Sequence, residues 1–412
     1  MRSNTILSSL AAFGAGAFAW PFTNTRGGDV TIKSFQLYPE NADYYPKLNR
    51  VYFRYDEIKT PGLLAMHSGT NLCSVLYNSS VAVWDPRKNV IEDVIKLKET
   101  MNKDYHASGI EVEAKTGLLS AIITPGAAFK TRGVNISGDN FLYKIDMKTK
   151  KVKWRSNVST PTKGKYGGCQ DAVRDSRGNT FVICTYPGAI IKVSADGETA
   201  TPWFLSHYME PGANVSRPGF TGGASKDDFL LAVDEETRKL VRFDMRDERG
   251  HPVLVPIGKD DENVGLGLDG AYLPPKYNGR VLLVTSESKE INVIVSDDNW
   301  QTAKKVAVIQ NTYFNNPENN QGFSVSTVQV GVGPKAPIYS INEYFLDAQD
   351  ASKPIVPETL AKDRSEFPLQ DITHDVEAAV CQKLGYQPGK LAKTTSDDLS
   401  LQFKGGLSDI EL

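Results

Sequence analysis

The amino-acid sequence predicts an all-β molecule: a six-bladed β-propeller closed by strands from both chain ends and followed by a short C-terminal helix. Three observations carry this. After residue 30, short apolar runs rich in Val, Ile, Tyr and Phe recur almost without a break, bounded by Gly, Asn, Asp and Pro. One strand pattern ending in Asp or Ser returns at spacings of 61, 48, 50 and 52 residues. Unmatched strands remain near both termini.

The chain has 412 residues, 40% hydrophobic and 23% charged, enough to bury a large core. Lys plus Arg is 47 against 49 for Asp plus Glu, so the net charge of −2 gives no electrostatic footprint for nucleic acid or an anionic membrane.

The first element is an address. Arg2 precedes the apolar run Ile6 to Phe13, and small residues end in Ala17-Phe18-Ala19. This reads as a secretory signal peptide over residues 1–19, the alternative being a buried N-terminal helix. The run is too short for a permanent membrane anchor, and no later segment reaches that length. The expected product is a soluble, monomeric protein, secreted or held in the lumen of the secretory pathway. Glycosylation sequons at Asn78, Asn135, Asn157 and Asn214 agree with that compartment. So does the even count of four cysteines. A turn over Asp175–Gly178 would set Cys169 opposite Cys184, where a disulfide would stabilise the fold by roughly 3 kcal/mol. The alternative there is two buried free thiols; the pairing of Cys73 and Cys381 stays open.

The blades follow in order. Ser80-Val-Ala-Val-Trp-Asp85 is echoed by Phe141–Asp146, Ala189–Ser194, Lys239–Asp244 and Glu290–Ser296. Two further strands precede most echoes, joined by turns such as Lys115-Thr-Gly117, Ser176-Arg-Gly178 and Tyr277-Asn-Gly279. Four strands at a period near fifty residues describe a propeller blade. Five blades are accounted for in this way. Val30–Leu37 and Arg50–Tyr55 lack inner partners, and Ser324–Val330 with Ile338–Ile341 lacks outer ones. Together they would make the sixth blade and leave no open sheet edge. The propeller is thereby expected over residues 20–347, two β-sandwiches being the alternative. A C-terminal extension, 348–412, would carry a helix over Asp371–Gly385 and a polar tail.

Motif chemistry is sparse. Gly265-Leu-Gly-Leu-Asp-Gly270 matches a nucleotide-binding fingerprint in letters but precedes a strand and Pro274-Pro275 instead of opening a helix. No Walker loop, H-E-x-x-H, G-x-S-x-G or paired CxxC is present, and the five histidines are scattered. No metal site and no cofactor are therefore expected. The propeller geometry supplies a filter instead, because innermost strands line an axial channel. His106, Glu111, Asp171 and Asp269 fall on or beside those strands and are the candidate acids. His67, Tyr166, Tyr186, Phe220 and Thr327 are the candidate substrate contacts, with the aromatic residues expected to form an apolar wall. Asp171 and Asp269 have an equal structural reading, hydrogen bonds to backbone that close adjacent blades. Glu111 alternates with Glu113, which was expected to turn one of the two to solvent.

Gly168-Cys-Gln-Asp-Ala-Val173, Gly178-Asn-Thr-Phe-Val182 and Tyr186-Pro-Gly-Ala-Ile-Ile-Lys-Val193, with the signal peptide and repeated hairpins, resemble a family of secreted fungal propellers. That family includes the trichothecene-biosynthesis cluster protein numbered fourteen; gluconolactonase-like and strictosidine-synthase-like propellers are more distantly similar. The resemblance implies a role in secondary metabolism on a small, apolar, oxygenated metabolite. It implies an acid-assisted closure of an oxygen ring in a water-poor funnel. Two alternatives stand beside it: a non-enzymatic extracellular ligand-binding or virulence propeller, and a calcium-dependent lactonase-like hydrolase. The hydrolase would need several converging Asp, Glu and Asn ligands, to which Asp171 and Asp269 could contribute.

Overall fold

The computed structural model describes residues 28–384 except 56–78, 101–104, 207–215, 260–261, 287–288, 315–320, 345 and 348–362. Within them the strands form six four-stranded antiparallel sheets. The first blade holds β1's successors in the chain: β1 is Val30–Lys33, and β2 (Ala42–Tyr45), β3 (Arg50–Tyr55), β4 (Ser80–Asp85) and β5 (Val90–Lys96) make one sheet. The second contains β6 (Tyr105–Glu113), β7 (Leu118–Pro125), β8 (Phe141–Asp146) and β9 (Lys151–Asn157). The third contains β10 (Gly167–Arg174), β11 (Thr180–Tyr186), β12 (Ala189–Val193) and β13 (Ala200–Leu205). The fourth contains β14 (Phe220–Lys226), β15 (Phe229–Asp234), β16 (Lys239–Asp244) and the two-residue β17 (Val253–Leu254). The fifth contains β18 (Leu268–Tyr272), β19 (Val281–Ser286), β20 (Glu290–Val295) and β21 (Lys304–Gln310).

The sixth blade closes the ring, in the order β1, β24 (Glu366–Asp371), β23 (Ile338–Glu343), β22 (Phe323–Gln329). Both chain ends thus enter one sheet, with Val30 opposite Leu369 and Ile341 opposite Leu369 on its other side. Three expectations are corrected here. Arg50–Tyr55 does not join the closing blade: β2 and β3 form a hairpin through Pro46–Asn49, with Asn49 at φ 52°, and β3 pairs with β4. The closing blade takes its third strand from residues 366–371, beyond the boundary expected at 347. The first strand is also shorter than expected, ending at Lys33 before Gln36 and Tyr38 adopt positive φ. The helix α2 (Thr373–Leu384) packs Val376 and Val380 against the fifth blade, together with Ile372 just before it.

Successive first strands touch in a closed cycle, β2–β6–β10–β14–β18–β22–β2, so these six surround the axis. Between blades lie six apolar clusters, built from the alternating inward residues of facing sheets. In the third blade Cys169 lies opposite Cys184 and the two are bonded, but the hairpin register is one residue off the expected pairing of Arg174 with Asn179: Arg174 faces Thr180, and a register shift between Cys169 and Asp171 brings the cysteines together. A structural disulfide belongs with an oxidising compartment. Among the described residues Cys381 is a free thiol, and no helix is long and apolar enough to cross a membrane. The signal peptide and Cys73 lie outside the described residues.

Candidate functional site

Each junction between neighbouring blades near the axis is held by a side chain that bonds backbone of the next blade. Asp43 accepts from the N–H of Val112, and Ser108 donates to the carbonyl of Cys169, both at 2.8 Å. Asp171 accepts from Gly223 N–H at 2.8 Å, and Gln170 donates to Thr221 O at 2.7 Å. Glu235 accepts from Leu268 N–H, Thr285 donates to Val325 O, and Ser326 donates to Glu40 O. Five of the six innermost strands carry a register shift at this level, which turns their backbone groups toward the neighbour. The structural reading of Asp171 is therefore realised: its second oxygen accepts from Ala172 N–H at 2.8 Å, so both oxygens are committed to backbone.

The same strands line two spaces along the axis. A narrow one of about 10 Å³ is lined from every blade, by Asn41, Ser108, Gln170 with Asp171, Thr221, Asp269 and Val325 among others. Beyond it, toward the ends of the innermost strands, lies a cavity of about 150 Å³. Its apolar walls are Ile110, Ala172, Val173, Ala224, Ala271 and Leu273. Asn41, Asp43, Glu111, Asp171, Ser225, Tyr272, Ser326 and Thr327 supply its polar groups, and among the described residues no Lys, Arg or His lines it.

Three carboxyl groups in this wall are held well above the ordinary range, in each case mainly by loss of water. Glu111 is pushed up to about 7; Arg174 and Lys144 oppose the shift, while Glu113 and Asp43 add to it. Asp171 is also raised to about 7, against its two backbone hydrogen bonds and with a contribution from Asp43. Asp43 rises to about 6, opposed by the N–H groups of Val112 and Tyr44 and by Arg174. Glu111 differs from the other two in its hydrogen bonding. Its Oε1 lies 3.6 Å from Arg174 Nε, and its buried Oε2 has no hydrogen-bond partner. Across the cavity Thr327 Oγ1 is likewise buried without one. Glu113 does not turn to solvent: residues two apart on a strand share a face, and its buried carboxylate pairs with the buried Lys144.

The candidate residues thus separate. Glu111, Asp171 and Thr327 come together at the cavity. Asp269 lies at the narrow ring, which Asp171 also lines, while the acid neighbour acting on Asp171 is Asp43. His106 lies five residues before Glu111 on β6, roughly 15 Å along the strand, where its buried ring meets Phe129 edge-on at 5.5 Å. Phe129, on the short helix α1 (Ala127–Lys130), in turn meets Tyr186. The expected aromatic wall is not at the cavity. Tyr166 donates to Ser206 O, and Phe220 packs against Phe204 and Phe243 inside a blade interface. His67 lies outside the described residues, as do Asn78 and Asn214. Asn135 is exposed; Asn157 is half-buried, its side-chain oxygen accepting from Ser159 N–H. Asp43, Glu113, Lys144, Arg174 and Tyr272 were not singled out by the sequence. A calcium site is not supported by the donor set: Asp171 spends both oxygens on N–H groups, and among the described residues no three His, Cys, Asp or Glu side chains converge as ligands.

Comparison with known proteins agrees with the fold and narrows the family. A model of the Mal s 1 allergenic protein-like family matches residues 71–319. The chain is 28% identical over 399 residues to the trichothecene biosynthesis protein 14 of Trichoderma arundinaceum, covering 92% of this chain and 100% of that one. It is 28% identical to the core trichothecene cluster protein 14 of Fusarium sporotrichioides, over 93% of this chain and 98% of that one. Among solved structures, the major allergen Mala s 1 of Malassezia sympodialis superposes with a TM-score of 0.65 at 19% identity, covering 84% of this chain and 96% of that one.

Proposed function

We infer that this chain, which belongs to the Mal s 1 allergenic protein-like family, serves fungal secondary metabolism by binding an oxygenated small molecule in its axial cavity. We further propose that Glu111 acts there as the acid in an oxygen-ring closure. The trichothecene-biosynthesis names of its two full-length relatives support the pathway class. One observation carries the chemistry: a carboxyl group poised to hold a proton near neutral pH faces the cavity with an oxygen not engaged elsewhere.

The step balances without any change in oxidation state. Glu111 gives its proton to a hydroxyl, the carbon–oxygen bond breaks, and water leaves. A second hydroxyl of the same substrate attacks that carbon, and its proton returns to the Glu111 carboxylate. Arg174, 3.6 Å from Oε1, stabilises the carboxylate between the two transfers. The acidic wall, with no basic group among the described residues that line it, favours a neutral substrate over an anion. A volume of about 150 Å³ is that of a cavity able to hold benzene. The described space therefore takes one oxygenated ring, not a whole polycyclic skeleton.

The test uses extract from a gene-deleted strain that accumulates the uncyclised precursor. Wild-type protein should convert it, and Glu111→Gln should lower the rate by roughly 10²- to 10⁴-fold. Full activity in that variant would remove Glu111 as the acid. Saturable precursor binding without turnover by the wild-type protein would favour the non-enzymatic binding propeller.

A further inference from the structure

Glu111 belongs to a charged cluster that spans two blades. Glu111 and Glu113 project from the same face of β6 toward Arg174, at the end of β10 in the next blade. Arg174 Nε lies 3.6 Å from Glu111 Oε1 and 3.8 Å from Glu113 Oε1, shared between the two without a hydrogen bond to either. Glu113 is further engaged. Its Oε1 pairs with the Lys144 ammonium on β8, and its Oε2 accepts from Thr116 Oγ1 at 2.8 Å. Lys144 is itself fixed by Ser120 Oγ at 2.8 Å and Thr180 Oγ1 at 3.2 Å. Both side chains of this pair are almost wholly buried.

A buried lysine with three oxygen partners requires a permanent anion beside it, because an uncompensated charge there costs several kcal/mol. Glu113 meets that requirement; Glu111 does not touch Lys144. Lys144 is therefore set against Glu113 alone, whereas Arg174 is shared by the two carboxylates and stands marginally nearer Glu111. The other titratable groups lining the cavity around Glu111 are Asp43 on β2, Asp171 on β10 and Tyr272 on β18, none of them cationic.

We propose that Glu113 is the fixed counter-ion of Lys144, and that by sharing Arg174 with Glu111 and setting a like charge beside it Glu113 keeps Glu111 able to take up and release a proton at the cavity. Glu113 and Arg174 are thus positioning residues, and the inference rests on the reading of Glu111 as the cavity acid. Opposite substitutions must act in opposite directions. Removing the Glu113 charge turns Arg174 onto Glu111 and favours its carboxylate. Removing the Arg174 charge takes away its nearest cation and favours the neutral acid.

The measurement is a titration of the protein alone, with ¹³C-carboxyl-labelled glutamate and the Glu111 signal assigned by its loss in Glu111→Gln. The midpoint should fall by about one pH unit in Glu113→Gln and rise by about one unit in Arg174→Met. Arg174→Met leaves the Lys144–Glu113 pair intact, so it gives a reading even if Glu113→Gln fails to fold. Unmoved midpoints, or a fall in Arg174→Met, would overturn the proposal. No substrate is present, so these shifts are separable from the activity test: they can occur in a protein in which Glu111→Gln keeps full turnover, and that result would strike only the catalytic reading.

Discussion

A carboxyl group with an open oxygen in a buried cavity wall costs free energy when it is ionised, because nearby cations compensate its lost hydration only in part. Glu111 is such a group, raised from 4.5 to about 7. Below the unfolded value it is neutral in both states. As pH climbs through about 7 the folded protein must ionise it in place, so the stability linked to its bound proton is present at low pH and lost on the alkaline side. Glu111→Gln removes this term. The variant should gain about 1–3 kcal/mol relative to wild type between pH 4.5 and pH 8, read as a growing difference in urea midpoints. An equal difference at both pH values would contradict the desolvation argument. Placement on an innermost strand made Glu111, Asp171 and Thr327 legible in the sequence. Their partners were not. Lys144 sits in Phe-Leu-Tyr-Lys-Ile-Asp, where strand alternation assigns a lysine to solvent; only pairing with Glu113 keeps it inside. Asp43 lies between Pro39 and Pro46 in a stretch with no alternating pattern.

Among the elements, the innermost strands are constrained most tightly where neighbouring blades meet. At Gly222 a Cβ would lie 2.3 Å from Asp269 O, and at Gly109 2.7 Å from Asp171 Cα. Both obstacles are backbone of the next blade, which cannot move without breaking the junction bonds. Gly222→Ala or Gly109→Ala should therefore cost about 2–4 kcal/mol through overpacking, seen as a lower thermal midpoint. A variant matching wild type would show that the blades have slack at the axis. The repeated hairpins were readable because turn residues and apolar alternation are local signals; the bulge between Cys169 and Asp171 that aligns Cys169 with Cys184 was not. β24 escaped because Glu366-Phe-Pro-Leu-Gln-Asp371 carries a proline inside a strand that lies within its sheet. The structure accommodates it at the margin of the ladder: β23 pairs only with Leu369–Asp371, and Asn342 Nδ2 bonds the Pro368 carbonyl.

At the scale of the whole molecule, closure is unequal between the two chain ends. β1 contributes one fully buried side chain, Ile32, on the outer edge of the last blade. β24, α2 and Ile372 between them contribute Phe367, Leu369, Ile372, Val376 and Val380, each at most 2% exposed. At about 1.5–3 kcal/mol per buried side chain, the C-terminal set supplies on the order of 10 kcal/mol, comparable to the entire net stability of a typical domain. β24 also separates β1 from β23, so its loss strands β1 and bares an edge inside the blade. Ending the chain after residue 365 should therefore abolish cooperative unfolding and yield aggregating protein. Deleting residues 28–33 should lower stability by about 2–4 kcal/mol and leave a folded propeller. Far-UV circular dichroism with urea titration separates the two outcomes. If the 365 truncation unfolds cooperatively with a near-native midpoint, the ring is held by its axial junctions and not by the strand that joins its two ends.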